Sequence, residues 1–141
     1  MVVRVKIRIS VGDKIVETSA LANSGYSADT PQLLIPMRLA DLLGLWPPKK
    51  EYETEFETAG GPLRVWIYPG ASRVSVITED YQSDEVLVDI VVSSIADEVL
   101  LSDKLIGALG IALEDVSRGI WRFRWEPVTK ERRSEPPKYW S

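Results

Sequence analysis

The sequence predicts an all-β domain that also contains two short helices. Apolar and polar residues alternate in many stretches along the chain, which is the period of half-buried strands. Only two segments carry the i, i+3, i+4 spacing of an amphipathic helix. With 141 residues, 45% of them hydrophobic, the chain can bury one core. We expect one domain over residues 1–126 and a polar, proline-containing tail over residues 127–141.

The first part of the chain is predicted to form a hairpin. Apolar and basic residues alternate over positions 3–9, VGD suits a turn, and residues 14–22 suit the returning strand. The polar segment SGYSAD then predicts a loop, and QLLI a short apolar strand. A helix is expected next, with Pro36 at its first position and Gly44 closing it.

The middle and end of the chain predict further strands. EYETEF alternates, TAGGP suits a hairpin tip, and LRVWIY suits the strand that returns from it. SRVSVI, EVLVDIVV and GIWRFRW are read as three more strands. Between the last two, a second short helix is expected to be capped by Ser102 and to end at Gly110. SEPPKYWS is expected to be a loose end.

Two segments of the chain share a pattern. LLIPMRLADLLGL and VLLSDKLIGALGI both contain an apolar strand, a cap, a short helix and a Leu-Gly-aliphatic ending, with Gly44 and Gly110 lying 66 residues apart. One interpretation is a fold with two related halves. The other is that short amphipathic helices often end in Leu-Gly.

The composition excludes several classes of chemistry. The chain has no cysteine and no histidine, so disulfides, Ser-His-Asp and Cys-His nucleophile systems and His-ligated metals are excluded. Acid–base chemistry would fall to carboxylates, Lys or Tyr. We expect no metal and no cofactor. Asn, Gln, Cys and Met are scarce beside Glu, Lys and Arg, a pattern that resembles thermophile proteins.

Hydropathy and charge indicate where in the cell the protein is expected and which partners it could bind. No apolar run is long enough for a membrane span, and the alternating N-terminus is unlike a secretory signal, so we expect a cytoplasmic protein. From Arg118 onward the chain has seven basic and three acidic residues, a net charge of +4. The preceding 117 residues have ten basic and eighteen acidic residues, a net charge of −8. Such a tail can mark a nucleic-acid arm or help two subunits dock. Because its aromatic residues alternate as in a strand with a buried face, nucleic acid is not the expected partner.

The loop ALANSGYSADTP, from Ala20 to Pro31, contains Asn23, the only asparagine of the chain. An apolar strand, this loop, a Gly-rich hairpin and the late LLSDKLIGALGI segment together resemble the retropepsin-like aspartic peptidases. That family carries an apolar pair followed by Asp-Thr-Gly or Asp-Ser-Gly, and here Asn23, Ser24 and Gly25 stand in its place. Asn23 would occupy the catalytic aspartate position.

The resemblance implies a closed β-barrel of acid-protease type with its active site at a homodimer interface. Each subunit would supply one catalytic residue, and a peptide or protein substrate would lie beneath a flap formed by Ala59, Gly60 and Gly61. Asp29, shortly after the Asn23-Ser24-Gly25 signature, would contact the substrate backbone. Leu100, Leu101 and the helix after them would form the hydrophobic segment that packs behind the catalytic loop.

Two positions depart from the family pattern. Ser102 stands where the family usually has glycine, which affects packing. Asn23 affects chemistry, because an amide is not a usable general base, so this form is expected to be inactive and Asn23→Asp to be active. The asparagine could be an engineered change, could mark a natural pseudo-enzyme, or could mean that the resemblance is false. The alternative function is a non-catalytic homodimer that binds peptides or holds a complex together.

Overall fold

The computed structural model describes residues 2–140 as a mainly β protein. Two 3-10 turns, at Lys50–Tyr52 and Val116–Arg118, join longer elements. Along the described chain, no helix is both long and apolar enough to cross a membrane. The remaining elements, in chain order, are β1 (Arg4–Val11), β2 (Lys14–Ala22), β3 (Gln32–Pro36), α1 (Met37–Leu42), β4 (Glu53–Thr58), β5 (Gly61–Val76), β6 (Val86–Ser93), β7 (Val99–Leu101), α2 (Asp103–Ala108), β8 (Ile111–Asp115), β9 (Ile120–Phe123) and β10 (Arg132–Arg133).

Six strands close into a barrel. They follow the order β1-β2-β7-β3-β6-β5, and the pairing of β1 with β5 closes the ring. β2 pairs in parallel with β7, and β3 in parallel with β6, whereas the other pairs are antiparallel. β4 extends the first half of β5 as a hairpin, and β8, β9 and β10 form a separate sheet. The expected mainly β fold with a closed barrel and two short helices is confirmed.

The core fills the barrel, and a smaller apolar cluster lies elsewhere on the sheet. In β1, Val5, Ile7 and Ile9 are fully buried, as their alternation predicts. The smaller cluster, here called the outer cluster, is centred on three buried residues of β3, β5 and β6 and has six partly buried residues packed against it. Its members are Leu34, Val65 and Val91, with Tyr26, Phe56, Leu63, Ile67, Ala96 and Leu100.

Several element boundaries differ from the predictions; β9, for example, ends at Phe123, so that Arg124 and Trp125 of the predicted strand GIWRFRW lie in a turn. LRVWIY and SRVSVI belong to one strand, β5, rather than two. The strand passes through Pro69 and Gly70 at an irregularity, where the register with β6 shifts between Tyr68 and Ser72, and a bulge is where a sheet accepts proline. Pro36 is the last residue of β3 and the N-cap of α1, in extended conformation, so α1 begins one residue later than expected.

The C-terminal tail is anchored, so the expectation of a loose end is wrong. The Glu135 N–H donates to the Arg4 carbonyl (2.8 Å), at the end of β1 that lies beyond its paired stretch with β5. The Trp140 N–H donates to the Asp97 carbonyl (2.7 Å), and the Trp140 indole donates to Thr18 Oγ1 (3.0 Å). The tail thus supplies a partner for the Arg4 carbonyl, which β5 leaves unpaired, and fixes its own end through Trp140.

Candidate functional site

A tight turn follows β2 and begins at Asn23. The Asn23 N–H donates to the Leu101 carbonyl of β7 (3.3 Å), and its carbonyl accepts from the Tyr26 N–H (3.0 Å). The second bond joins the first and fourth residues of the segment, as in a β-turn. Both backbone groups of Asn23 are therefore held, and the turn is fixed to the end of the barrel where β2 and β7 finish.

The side chain of Asn23 folds over its own turn. Its Oδ1 accepts from the Gly25 N–H (3.1 Å), and Asn23 is half-buried while Ser24 and Gly25 are exposed. A carboxylate in this position could accept the same backbone bond, and such a bond favours the charged form. A Cβ on residue 25 would lie 3.3 Å from Asn23 Oδ1, so the lack of a side chain at Gly25 permits this close approach.

The first residue of α2 holds the loop from behind. The Asp103 N–H donates to the Tyr26 carbonyl (2.8 Å), and Asp103 Oδ1 accepts from the Ala28 N–H (3.1 Å). The Ala28 bond is the main cause that lowers the pKa of Asp103, and the Lys104 N–H and its charge act in the same direction. Helix α2 therefore packs against the loop and holds it through Asp103, whose carboxylate is ionised.

Ser102 joins α2 to β3. The residue is fully buried, and its Oγ accepts from the Leu105 N–H (3.2 Å), which is the expected N-cap bond. The same Oγ also accepts from the Gln32 N–H (3.0 Å), and the Ser102 N–H donates to the Gln32 carbonyl. Ser102 therefore caps the helix and also connects it to the strand that follows the loop.

Tyr26 connects the turn to the outer cluster. Its ring packs against that cluster and its hydroxyl donates to Gln32 Oε1 (2.8 Å). Burial raises the pKa of Tyr26 strongly, and the nearby Asp89 carboxylate adds to the shift. Asp89 itself accepts from Thr30 Oγ1 (2.7 Å) and from the Gly70 N–H (2.8 Å). The far end of the loop is thereby tied to β6 and to the bulge of β5.

The predicted flap is the β4–β5 hairpin. Phe56 and Leu63, which pair across its two strands, pack against the same outer cluster as Tyr26. The tip residues Ala59 and Gly60 are exposed, and Gly61 has a positive φ of 109° that a side chain would strain. The hairpin and, through Tyr26, the Asn23 turn thus share one apolar patch on the barrel surface.

Asp29, the predicted substrate-contacting residue, makes no contact with Asn23 that fixes its position in the described part of the chain. It is exposed in the loop and, within residues 2–140, takes part in no hydrogen bond or ion pair. The Asp29 side chain can therefore reach a ligand, but no contact within residues 2–140 fixes its orientation.

The sequence interpretation overlooked several residues of this region. Tyr26 and Asp103 tie the loop to the outer cluster and to α2, and Ile95 in the β6–β7 connection is 75% exposed beside Ala96 of that cluster. A large aliphatic residue inside the polar segment SSIAD is the signal that could have singled out Ile95. No comparable local signal distinguishes Asp103 from an ordinary residue of a first helical turn.

A cavity in the basic C-terminal region, from Arg118 onward, is separate from the Asn23 turn. It has a volume of about 710 Å³ and is lined by Asp80, Trp121, Lys130 and Arg132, among others. The Arg132 guanidinium donates to Asp80 (2.9 Å) and to Glu126 (2.6 Å), and it lowers the pKa of both carboxyls. Because such ion pairs neutralise the cations of the tail, they weaken the case for a nucleic-acid arm.

Comparison with known proteins adds no family assignment. No protein-family model matches the chain, and no curated protein matches its sequence. Nor does any group of three carboxylates within residues 2–140 lie close enough together to hold a metal ion. The function must therefore be inferred from the turn at Asn23, its support by α2 and the hairpin beside it.

Proposed function

We propose that this chain is a retropepsin-type aspartic endopeptidase in which Asn23 occupies the position of the catalytic carboxylate. One observation carries the proposal. Asn23 lies in an exposed turn, its side-chain Oδ1 accepts from the Gly25 N–H at 3.1 Å, and its backbone N–H donates to Leu101, the last residue of the strand before α2. The turn is fixed and hydrogen-bonds a side chain with the shape of a carboxylate. Such an arrangement, next to a hairpin, suits a catalytic side chain that must be oriented before it reacts.

The reaction would need two carboxylates, one from each subunit of a homodimer. Two such groups in close contact cannot both ionise, so they share one proton and titrate as a pair. The ionised carboxylate takes a proton from water, which then attacks the peptide carbonyl, while the protonated carboxyl donates to the carbonyl oxygen. Neither histidine nor metal is required, in agreement with a chain that has no histidine.

The other site residues have supporting roles in this proposal. Gly25 would orient the group at position 23 through its N–H, and the exposed Ser24 hydroxyl would bond to the second subunit. The hairpin tip at Ala59, Gly60 and Gly61 would cover an extended peptide, which binds by adding a strand. Asp29 would accept from a substrate backbone N–H.

The second candidate function is a non-catalytic, peptide-binding homodimer of the same fold. Asn23 itself favours it, because the amide keeps the bond to Gly25 but offers no titratable group. In this case the turn would orient an amide that hydrogen-bonds a bound peptide, and no bond would be broken.

The deciding experiment compares the chain with Asn23→Asp and Asn23→Ala. We expect Asn23→Asp to cleave an unfolded protein substrate in a pepstatin-sensitive manner between acidic and neutral pH. The two other forms should be slower by at least about 10²–10⁴-fold, the usual contribution of a general base. Sedimentation of all three forms checks that each is a dimer. Dimeric Asn23→Asp that binds peptides but cleaves none at any pH would refute the peptidase and leave the binding module.

A further inference from the structure

We propose that Asn23 is a site of spontaneous deamidation, at which the Ser24 backbone nitrogen converts the side-chain amide into a carboxylate. Asparagine is among the residues that limit the chemical lifetime of proteins at high temperature, and this chain keeps only Asn23. The conversion needs no partner other than water.

The chemistry is an internal acyl transfer. The Ser24 nitrogen loses its proton to a solvent base and bonds to Asn23 Cγ, the Cγ–Nδ2 bond breaks, and ammonia leaves with the proton. Water then opens the resulting five-membered imide. If the bond between Cγ and the Ser24 nitrogen breaks, the product is an aspartate in the normal chain; if the bond to the Asn23 backbone carbonyl carbon breaks, it is isoaspartate. One water is consumed, one ammonia is released, and nothing is oxidised.

The hydrogen bond from the Gly25 N–H to Asn23 Oδ1 (3.1 Å) favours this attack. The bond closes a ring of atoms that includes both Asn23 Cγ and the Ser24 nitrogen, so the amide carbon is folded back toward its nucleophile. The same N–H donates to the oxygen on which negative charge develops when the nitrogen adds, as donors of an oxyanion hole do. Proximity and charge stabilisation therefore come from one contact.

The nucleophile is also accessible. The backbone N–H groups of Asn23, Gly25 and Tyr26 all donate hydrogen bonds, whereas within residues 2–140 the Ser24 N–H donates none. Ser24 and Gly25 are both exposed, so hydroxide and water can reach the reacting atoms. No hydrogen bond has to break before the nitrogen attacks.

The consequence for activity rests on the proposed function. The aspartate product places a carboxylate where the dyad requires one, whereas isoaspartate lengthens the main chain by one carbon and misplaces it. Because the dyad takes one group from each subunit, activity should grow as the square of the aspartate fraction once subunits exchange. An aged preparation of the chain would then hydrolyse peptides that a fresh one leaves intact.

The test follows the peptide containing residue 23 by mass spectrometry while the folded chain is incubated from acidic to alkaline pH. We expect a gain of one mass unit at Asn23, faster at higher pH, with a rate no lower than that of the urea-unfolded chain. Ser24→Pro should abolish the gain, because proline has no N–H to lose and suits the second position of a turn. Ser24→Ala keeps the N–H and should still react, and Ser24→Val should be slower because its branched side chain shields the nitrogen.

Two results would overturn the proposal. One is a folded chain that keeps its amide while the unfolded chain loses it, and the other is an undiminished gain in Ser24→Pro at Asn23. Hydrolytic activity is scored separately on the same samples. A mass gain without activity supports deamidation and counts against the peptidase. An active Asn23→Asp variant, together with no mass gain in the unchanged chain, supports the peptidase and counts against deamidation.

Discussion

The two strand–helix units of the fold, β3–α1 and β7–α2, share a pattern and differ in what they hold. Each has a six-residue helix followed by a leucine and a glycine, and Gly44 and Gly110 have the same positive φ of 76°. Leu43 and Leu109 donate to the carbonyls four residues before them at 3.0 and 2.9 Å. The repeated strand, helix and glycine ending that the sequence predicts are confirmed at both places.

The difference lies at the first turn of each helix. α1 begins after Pro36, which makes no side-chain cap bond, whereas α2 begins after Ser102, whose Oγ accepts two backbone N–H groups. The next residue, Asp103, then binds the loop that starts at Asn23. The similar C-terminal residues of the two helices therefore specify only where each helix ends. The N-terminal residues of α2, which differ from those of α1, are the ones that bind the loop of the candidate site.

The largest effect is expected from Ser102→Ala, which removes the acceptor of both bonds. We expect a loss of about 2–4 kcal/mol in the free energy of unfolding, since a cap is lost and a second, partly buried donor is orphaned. Pro36→Ala in the other unit breaks no hydrogen bond and should cost only about 1.5 kcal/mol for its buried methylenes. Urea unfolding measures both variants. A loss for Ser102→Ala no larger than the loss for Pro36→Ala would mean that the two Ser102 bonds do not make its cap the more stabilising one.

A second comparison uses the two glycines. Alanine at either position must adopt a left-handed conformation, which costs about 1–2 kcal/mol. A Cβ at Gly110 would also meet the Trp125 ring at 2.3 Å, whereas at Gly44 it meets only the end of the Lys14 side chain at 3.4 Å. Trp125 stacks on Phe123 at 5.0 Å, so moving it should add about 0.5–1.5 kcal/mol.

Gly110→Ala should therefore destabilise the protein more than Gly44→Ala, again by urea unfolding. In a Trp125→Ala background the two substitutions should cost the same, because the ring that distinguishes them is gone. A difference that persists without Trp125 would place its cause in the backbone rather than in this contact.

The smallest effect is expected from Asp103→Asn and depends on pH. The pKa of Asp103 is lower in the folded chain, chiefly because of the Ala28 N–H, so its stabilisation is complete above the usual carboxyl pKa and is lost as pH falls through the lowered value. The variant should be less stable at neutral pH, and the difference should shrink in acid.

Hydrogen exchange provides the local measurement. The Ala28 amide should exchange faster in Asp103→Asn, since it loses a charged acceptor. Asp115→Asn is the matched control, because the pKa of Asp115 is also lowered, there chiefly by the Ser117 hydroxyl, in a turn that does not contact the loop. If Ala28 exchanged equally fast in both variants, the contact between α2 and the loop would not be what protects it.

Local features of this fold could be predicted from sequence. The alternation in β1 places Val5, Ile7 and Ile9 inside the barrel, and a serine before an amphipathic segment specifies the N-cap of α2. The assignment of the loop beginning at Asn23 as a site rests on a signature of only a few adjacent residues, and it stays a prediction. Each of these properties depends on backbone preferences and periods that act within about one or two turns of chain.

The remainder required long-range contacts. Asp103 meets Ala28 across 75 positions, and Trp140 meets Thr18 across 122, and neither pair carries a local pattern that names its partner. The bulge that lets β5 continue through Pro69 depends on its pairing with β6, which local propensity could not reveal.

The amino-acid sequence by itself determined the mainly β class, the two helices with their glycine ends and the position of Asn23 in an exposed turn. Only the tertiary structure decided that β1 and β5 close the barrel, that Tyr26, Phe56 and Leu63 share one apolar cluster, and that Asp103 of α2 holds the loop through Tyr26 and Ala28. The physical reason is range. Propensity, capping and turn geometry are settled between neighbours, whereas hydrogen-bond partners and buried contacts are chosen from the whole chain when it packs.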